Sequence, residues 1–191
     1  EKHIEFSIAE SVPVIVHTRD ADNDTISIIK KYYKKTNFLI HCFTGTLEQA
    51  KKALSYNMKL GIGGVATFKN GKISEFLNEI PINKIVLETD SPYLAPSPYR
   101  GTRNESSYLK IIADKLAEIY NLKIDEISKI TQQNSIKVFG DSYPTPDGTC
   151  IRDYVDVRQL AKAHFDSLRL LESGKEFPTA INLGSGDGYS V

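Results

Sequence analysis

In Ile85-Val86-Leu87-Glu88-Thr89-Asp90, an apolar run leads directly into a segment with two acidic residues. A short apolar run bounded by polar residues is typical of a buried strand in a parallel sheet. We therefore predict a strand over 84–87 that ends in the acidic segment. Because side chains alternate along a strand, Val86, Glu88 and Asp90 are expected on one face.

The same pattern of strand, loop and helix repeats along the first 140 residues. Strands are predicted over 12–16, 38–40 and 58–65, and helices over 22–35, 73–77, 109–119 and 127–138. Thr46 opens a further helix as its N-cap, with Gln49 completing a capping box. Strands alternating with helices at these spacings predict an α/β fold with βα units and a parallel sheet.

Composition, charge and cysteine spacing favour some classes of protein over others. The 191 residues carry no formal net charge, so bulk electrostatics gives no argument for nucleic-acid binding. Cys42 and Cys150 suit no zinc or redox spacing, which favours a reduced, cytoplasmic compartment. No run approaches the roughly 20 apolar residues that span a bilayer, so no membrane partner is expected. Glu1 opens inside a helical pattern, and we expect the chain to start within a fold.

Three predicted strands end in side chains that bind metals. His17, His41 and Asp90 each stand at the carboxyl end of an apolar strand, and in a (β/α) barrel those ends converge on the catalytic face. Imidazole and carboxylate are ligands for divalent ions, so these residues predict part of a metal site. The alternative is that each histidine is a hydrogen-bonded packing residue. Glu88, one layer below Asp90, is expected to support the site or handle protons, or else to form a buried ion pair.

Four ordered motifs resemble those of TatD-family deoxyribonucleases. They run through His17-Thr18-Arg19-Asp20-Ala21, His41-Cys42-Phe43-Thr44-Gly45, Glu88-Thr89-Asp90-Ser91-Pro92-Tyr93-Leu94-Ala95-Pro96 and Arg100-Gly101-Thr102-Arg103-Asn104-Glu105. The resemblance implies a TIM-like barrel with a two-metal centre that hydrolyses phosphodiester bonds, in DNA or a related substrate. The metals expected are Mg²⁺, Mn²⁺ or Zn²⁺.

The resemblance also implies roles for individual residues. His17, His41 and Asp90 match family metal ligands, and Asp90 is the residue expected to orient or deprotonate the attacking water. Arg19, Arg100 and Arg103 are candidates for holding phosphates, since a guanidinium fork suits them, with surface ion pairs as the alternative. Asn104, beside Glu105, could equally cap a helix.

The family pattern is incomplete in this chain. The family opens with a His-x-His strand and later carries a bridging glutamate in a Gly-Glu-Ile-Gly-Leu-Asp-like segment, and neither occurs in this sequence. We expect about the first third of the family fold, with three barrel strands, to be absent. The activity is therefore expected to be impaired, and two exposed sheet edges are expected to favour self-association.

The last fifty residues resemble a different family. The segments 143–155, 161–164 and 182–186 are similar to the substrate-side region of UDP-glucose 4-epimerases, which are extended short-chain dehydrogenases. By position, Arg152 matches an arginine that contacts the UDP pyrophosphate. We therefore predict two parts, a partial hydrolase barrel over 1–140 and a short α/β epimerase-like fragment over 141–191. The alternatives to a metal-dependent hydrolase are a UDP-sugar-binding fragment and a non-catalytic chimeric chain.

Overall fold

The computed structural model describes residues 1–140, 151–152, 157–173 and 189–190, and the chain divides into two units at Phe139 and Gly140. The first unit is built on four strands, β1 (Val14–Val16), β2 (Phe38–Ile40), β3 (Lys59–Ile62) and β4 (Ile85–Leu87). All neighbouring pairs are parallel and the order is β1-β2-β3-β4. The predicted α/β fold with a parallel sheet is therefore confirmed.

Five helices accompany this sheet: α1 (Lys2–Glu10), α2 (Asp22–Tyr32), α3 (Leu47–Ser55), α4 (Leu109–Tyr120) and α5 (Ile124–Phe139). The predicted capping box opens α3, since Thr46 accepts a hydrogen bond from the Gln49 amide and Gln49 accepts one from Thr46 N at 2.7 Å. The capping box satisfies amide groups that the first helical turn leaves unpaired.

Helices and sheet enclose the main hydrophobic core on one side of the strands. Its fully buried members come from strands, from helices and from the residue before β3, and they include Met58, Leu60, Ile62, Ile85, Ile112, Leu116 and Ile127. Leu39 and Val86 project to the other face, where Val138 near the end of α5 packs on them. This second face leads, along the strand direction, to His41 and Glu88.

The outer strand β1 pairs only with β2 within the described residues. Its central residue, Ile15, is aligned with Leu39 and is 53% exposed, whereas Leu39 is 2% exposed. β1 is therefore an edge strand of the described sheet. Self-association through that edge stays a prediction.

Some predicted boundaries were wrong. The strand expected over 58–65 ends at Ile62, because Gly64–Thr67 turns into a 3₁₀ helix against the loop that follows β4. A Cβ on Gly64 would lie 2.1 Å from the Leu94 carbonyl oxygen, so the close approach requires glycine. The helix expected over 73–77 is instead two short 3₁₀ turns, Lys72–Glu75 and Leu77–Glu79.

In the second unit the structure describes β5 (Ile151–Arg152), α6 (Val157–Glu172) and β6 (Tyr189–Ser190). β5 and β6 pair antiparallel. The apolar pattern of residues 151–157 also predicts a strand, but α6 begins at Val157, so a strand ends before that residue. Most segments that resemble the epimerases lie outside the described residues, as do residues 180–183, for which the sequence predicts a strand. None of the helices in the described part of the chain combines the length and apolar character that a membrane span requires.

Candidate metal centre

The carboxyl ends of the strands bring the predicted ligands together, as parallel strands require. His17 follows β1, His41 follows β2, and Glu88 and Asp90 follow β4. Backbone hydrogen bonds extend the sheet into the layer formed by these four residues. His41 N donates to Val16 O at 2.9 Å, and Glu88 N donates to Ile62 O at 3.1 Å. The rings of His17 and His41 lie 5.8 Å apart between centroids, at 37°.

The half-buried His41 ring stands between two carboxylates. A hydrogen bond joins its Nδ1 to Glu88 Oε2 at 2.8 Å, and another joins its Nε2 to Asp90 Oδ1 at 3.0 Å. Burial lowers the pKa of His41, but the hydrogen bonds and charges of Glu88 and Asp90 outweigh it and raise the pKa above its usual value. Both nitrogens donate only in the imidazolium form, which this pair of acceptors favours.

Glu88 lies deeper than Asp90, in the layer expected from strand alternation. Its second oxygen accepts a hydrogen bond from Cys42 N, so the carboxylate bridges the imidazole and the backbone of the same loop. Burial is the main reason that the pKa of Glu88 is raised, and the charge of Asp90 adds to it, whereas His41 and Cys42 oppose it. Burial and these two carboxylates also raise the pKa of the Cys42 thiol, to about 11.

Gly61 makes the space for the Glu88 carboxylate. A Cβ on Gly61 would lie 2.6 Å from Glu88 Oε2 and 2.7 Å from its carboxyl carbon. At Gly63, by contrast, a Cβ would meet the Glu88 carbonyl oxygen at an ordinary 3.4 Å. The Gly-broken strand seen in the sequence thus provides room for an acidic side chain, a role that spacing alone did not reveal.

Three loop residues around this layer adopt left-handed backbone conformations. They are Asp20, Cys42 and Asp90, with φ of 56°, 49° and 57°. This region is uncommon for residues other than glycine and persists where the surroundings determine it. The strand ends are therefore held in a specific arrangement and do not simply continue into solvent.

Asn104 is the member of the layer that the sequence did not identify correctly. Its side chain does not cap a helix, which was one alternative from the sequence. Instead, Nδ2 donates to the Thr89 and Tyr93 carbonyl oxygens, both at 2.6 Å, while Oδ1 accepts from Glu105 N at 2.9 Å. The side chain is 1% exposed, and no sequence pattern distinguishes such a buried asparagine from a cap.

The arginines differ in what they contact. Arg19 lines a cavity of about 820 Å³ that includes His41 and Cys42. The Arg100 guanidinium lies 3.7 Å above the Phe68 ring and donates to Ala95 O at 3.2 Å, so part of its fork is used inside the protein. Arg103 is exposed. For Arg152, in β5 of the second unit, the side chain lies outside the described part of the structure.

The donor set of this layer suits a divalent ion only in part. Two imidazoles and a carboxylate are suitable ligands. Within the described residues, however, no group of three or more His, Cys, Asp and Glu side chains is arranged to hold one ion. His41 Nε2 and Asp90 Oδ1 face each other instead. These residues therefore fit a metal as one portion of a ligand set.

Comparison with known proteins identifies relatives of the first unit. A family model described as TatD related DNase matches residues 1–140. YabD of Bacillus subtilis, an uncharacterized metal-dependent hydrolase, is 40% identical over 131 residues, covering 68% of this chain and 51% of that protein. YcfH of Escherichia coli K12, also an uncharacterized metal-dependent hydrolase, is 34% identical over 140 residues, covering 72% and 52%.

The fold has solved counterparts. The crystal structure of YjjV, a TatD homolog from Escherichia coli K12, is similar with a TM-score of 0.67 and 24% identity, over 72% of this chain and 54% of that one. The chain spans about half the length of the curated relatives it matches. With a family model that matches residues 1–140 and relatives named as metal-dependent hydrolases, the chain belongs to the TatD-related DNase family.

Proposed function

We propose that the first unit supplies part of the active site of a divalent-metal-dependent hydrolase that cleaves phosphodiester bonds, with DNA as the substrate class. Family membership supports the enzyme class, and the observation that carries the proposal is the contact of His41 with Glu88 and Asp90 beside His17. These groups come from three separate strands and meet at one edge of the sheet, where enzymes of this architecture place their chemistry.

The proposed ligands are His17, His41 and Asp90. Asp90 Oδ1 and His41 Nε2 are the atoms that would turn from each other to a metal ion. Glu88 then keeps its contact with Nδ1, which fixes the ring orientation and increases the basicity of Nε2. A bound divalent ion would polarise the phosphate and lower the pKa of a water molecule. The donor types do not discriminate between Mg²⁺, Mn²⁺ and Zn²⁺.

Phosphate recognition is assigned first to Arg19 and then to Arg103. Arg19 shares the cavity with His41, and neither arginine makes an ion pair with the residues that the structure describes. A guanidinium with unused donors can contact a phosphodiester through two parallel hydrogen bonds. Arg100 is the weaker candidate, because Phe68 and Ala95 already position it.

The test is metal-dependent cleavage by the full chain. DNA and a model phosphodiester are incubated with increasing Mg²⁺, Mn²⁺ or Zn²⁺, and the rates are compared for the wild type, Asp90→Ala and Asp114→Ala. Asp114 is a surface acid of α4 that pairs with Lys110, so its variant controls for loss of one negative charge. We expect a weak metal-dependent rate that Asp90→Ala abolishes and Asp114→Ala retains. Equal rates in wild type and Asp90→Ala would contradict the proposal.

A second proposal concerns the tail and rests on its sequence alone. The similarity of segments 143–155, 161–164 and 182–186 to UDP-glucose 4-epimerases supports binding of a UDP-sugar, with Arg152 on the pyrophosphate. UDP affinity measured by calorimetry for wild type and Arg152→Ala tests it. Binding that is the same in both proteins, or absent from both, leaves the tail as the non-catalytic part of a composite chain.

A further inference from the structure

A buried asparagine holds the loop that carries Asp90. The side-chain amide of Asn104 donates one hydrogen to Thr89 O and the other to Tyr93 O, both at 2.6 Å, and its backbone N donates to Pro92 O at 3.0 Å. The two carbonyls that receive the side-chain hydrogens lie on either side of Asp90 in the chain. One rigid planar group therefore fixes both ends of the segment that presents the carboxylate.

This segment needs such support. Asp90 has a φ of 57°, and a turn closes over it through the hydrogen bond from Tyr93 N to Asp90 O at 2.9 Å. A left-handed conformation is uncommon at residues other than glycine and persists where neighbouring contacts enforce it. The Asn104 bonds to Thr89 and Tyr93 are contacts of that kind.

We propose that Asn104 is a positioning residue that holds the Asp90 carboxylate in hydrogen-bond contact with His41. Asn104 does not touch the imidazole, and it acts through the backbone on both sides of Asp90. The inference rests on the proposed function only for its consequence, which is that loss of Asn104 weakens metal binding.

The same strand provides a matched control. Asn134 in α5 is also 1% exposed, and its Nδ2 donates to Ile82 O at 2.9 Å and Ile85 O at 2.7 Å. It thus holds the amino end of β4 in the way that Asn104 holds the segment beyond the carboxyl end. Removing either amide takes two hydrogen bonds from buried backbone carbonyls, so a comparable loss of stability is expected from both. Of the two asparagines, only Asn104 binds backbone on both sides of Asp90.

The experiment compares Asn104→Ala, Asn104→Ser and Asn134→Ala in the full chain. The metal-free readout is the ¹H–¹⁵N spectrum of the histidine rings, in which the His41 signals are assigned from a His41→Gln variant. We expect Asn104→Ala to move the His41 ring signals toward those of Asp90→Ala, Asn104→Ser to move them less, and Asn134→Ala to leave them unchanged. Thermal denaturation reports the general cost of each substitution.

Metal binding is the second readout. Calorimetric titration with Mn²⁺ is expected to show about a tenfold weaker affinity for Asn104→Ala, within the range found when groups behind metal ligands are removed, and less than about twofold for Asn134→Ala.

Wild-type ring signals and affinity in Asn104→Ser and Asn104→Ala, with a melting temperature lowered as in Asn134→Ala, would overturn the inference. If the wild type bound no metal, the proposed function would fail, while the His41 spectra would still decide the role of Asn104. If Asn104→Ala did not fold, Asn104→Ser would decide it.

Discussion

Strand β4 is anchored at both ends by an asparagine amide, yet the surroundings of the two ends differ. Around its amino end the polar groups are lysines and amides, among them Lys59, which donates to Asn83 O, and Lys84, which donates to Asn57. Beyond its carboxyl end, Glu88 and Asp90 face the His41 imidazole, and Asp90 does so from a left-handed backbone conformation. Polar groups at the amino end hold neighbouring segments of the fold together, whereas those at the carboxyl end form the proposed metal site.

The two ends also differ in how they affect ionisation. At the amino end, burial lowers the pKa of Lys59, and the charges of Lys84 and Lys137 lower it further. At the carboxyl end, opposite charges raise the pKa of His41 despite its burial. Like charges lie near one another at the first end, and complementary groups meet at the second. This contrast predicts that substitutions at the carboxyl end change metal affinity, whereas substitutions at the amino end change only the stability of the fold.

The largest expected effect is on metal affinity. His41→Ala removes the proposed imidazole ligand and both carboxylate contacts. We expect it to weaken Mn²⁺ or Zn²⁺ binding roughly 100-fold, the upper end of the range for removing groups that support metal ligands. Lys84→Ala, at the amino end, should leave affinity within about twofold. Equilibrium dialysis with metal analysis measures both. Equal losses in the two variants would remove the distinction between the ends.

The next effect concerns the space behind Glu88. Gly61→Ala forces the Glu88 carboxylate to move, and overpacking of this kind costs about 2 kcal/mol of unfolding free energy. Gly63→Ala, whose Cβ has an ordinary contact, should cost less than about 1 kcal/mol. Urea denaturation compares them. If Gly63→Ala proved the more harmful substitution, the carboxylate cradle assigned to Gly61 would be wrong.

A smaller effect is expected just before β4. The Tyr120 hydroxyl lies 2.5 Å from Leu77 O and 2.6 Å from Ile80 O, and Tyr120→Phe should cost about 1.5 kcal/mol. Tyr56→Phe is the control, because the Tyr56 hydroxyl has no hydrogen bond to the described residues. The metal affinity should be unchanged in both variants, and a decrease in either would mean that the two ends of the sheet are coupled.

The Tyr120 hydroxyl also makes the free energy of unfolding depend on pH. Burial raises the pKa of Tyr120, so the folded protein keeps the neutral hydroxyl at a pH where the unfolded chain ionises. The hydroxyl's contribution is therefore complete below the ordinary tyrosine pKa of about 10 and decreases above it. The stability difference between wild type and Tyr120→Phe should narrow from pH 9 to pH 11, whereas a constant difference would argue against burial as the cause.

The smallest effect is expected at the helix that follows the His41 loop. Thr46→Ala removes one half of the capping box and should cost about 1 kcal/mol. Thr44→Ala, an exposed residue of the same loop without a side-chain hydrogen bond to the described residues, should be nearly neutral. Chemical denaturation again provides the measurement, and equal stability of the two variants would mean that the cap contributes nothing.

Much of this arrangement follows from local patterns in the sequence. Apolar runs that end at His17, His41 and Glu88 predicted parallel strands with a common polar edge, because pairing places all carboxyl ends on one side. Thr46 and Gln49 predicted the start of a helix because both partners of the capping box lie within one helical turn. Short-range chemistry of this kind can be read without a structure.

The remaining features depend on contacts between distant segments. Asn104 contacts the Asp90 loop only because the chain folds back after that loop, and the spacing of residues in the sequence does not predict this contact. The same is true of Gly61, whose missing side chain matters only because Glu88 lies across the sheet from it. Gly64 also depends on a distant segment. The apolar pattern predicted that the strand continues through this residue, but the loop that carries Leu94 packs against it and the strand ends before it.

The order β1-β2-β3-β4 has a consequence for how the first unit forms. Each strand pairs only with the strands before and after it in the chain, so no sheet contact in this unit waits for a distant segment. Contacts between near neighbours in sequence are the fastest to close, because they cost the least chain entropy. The sheet can therefore assemble one strand at a time during synthesis, and the layer of His17, His41 and Asp90 is complete only when β4 joins as its last strand.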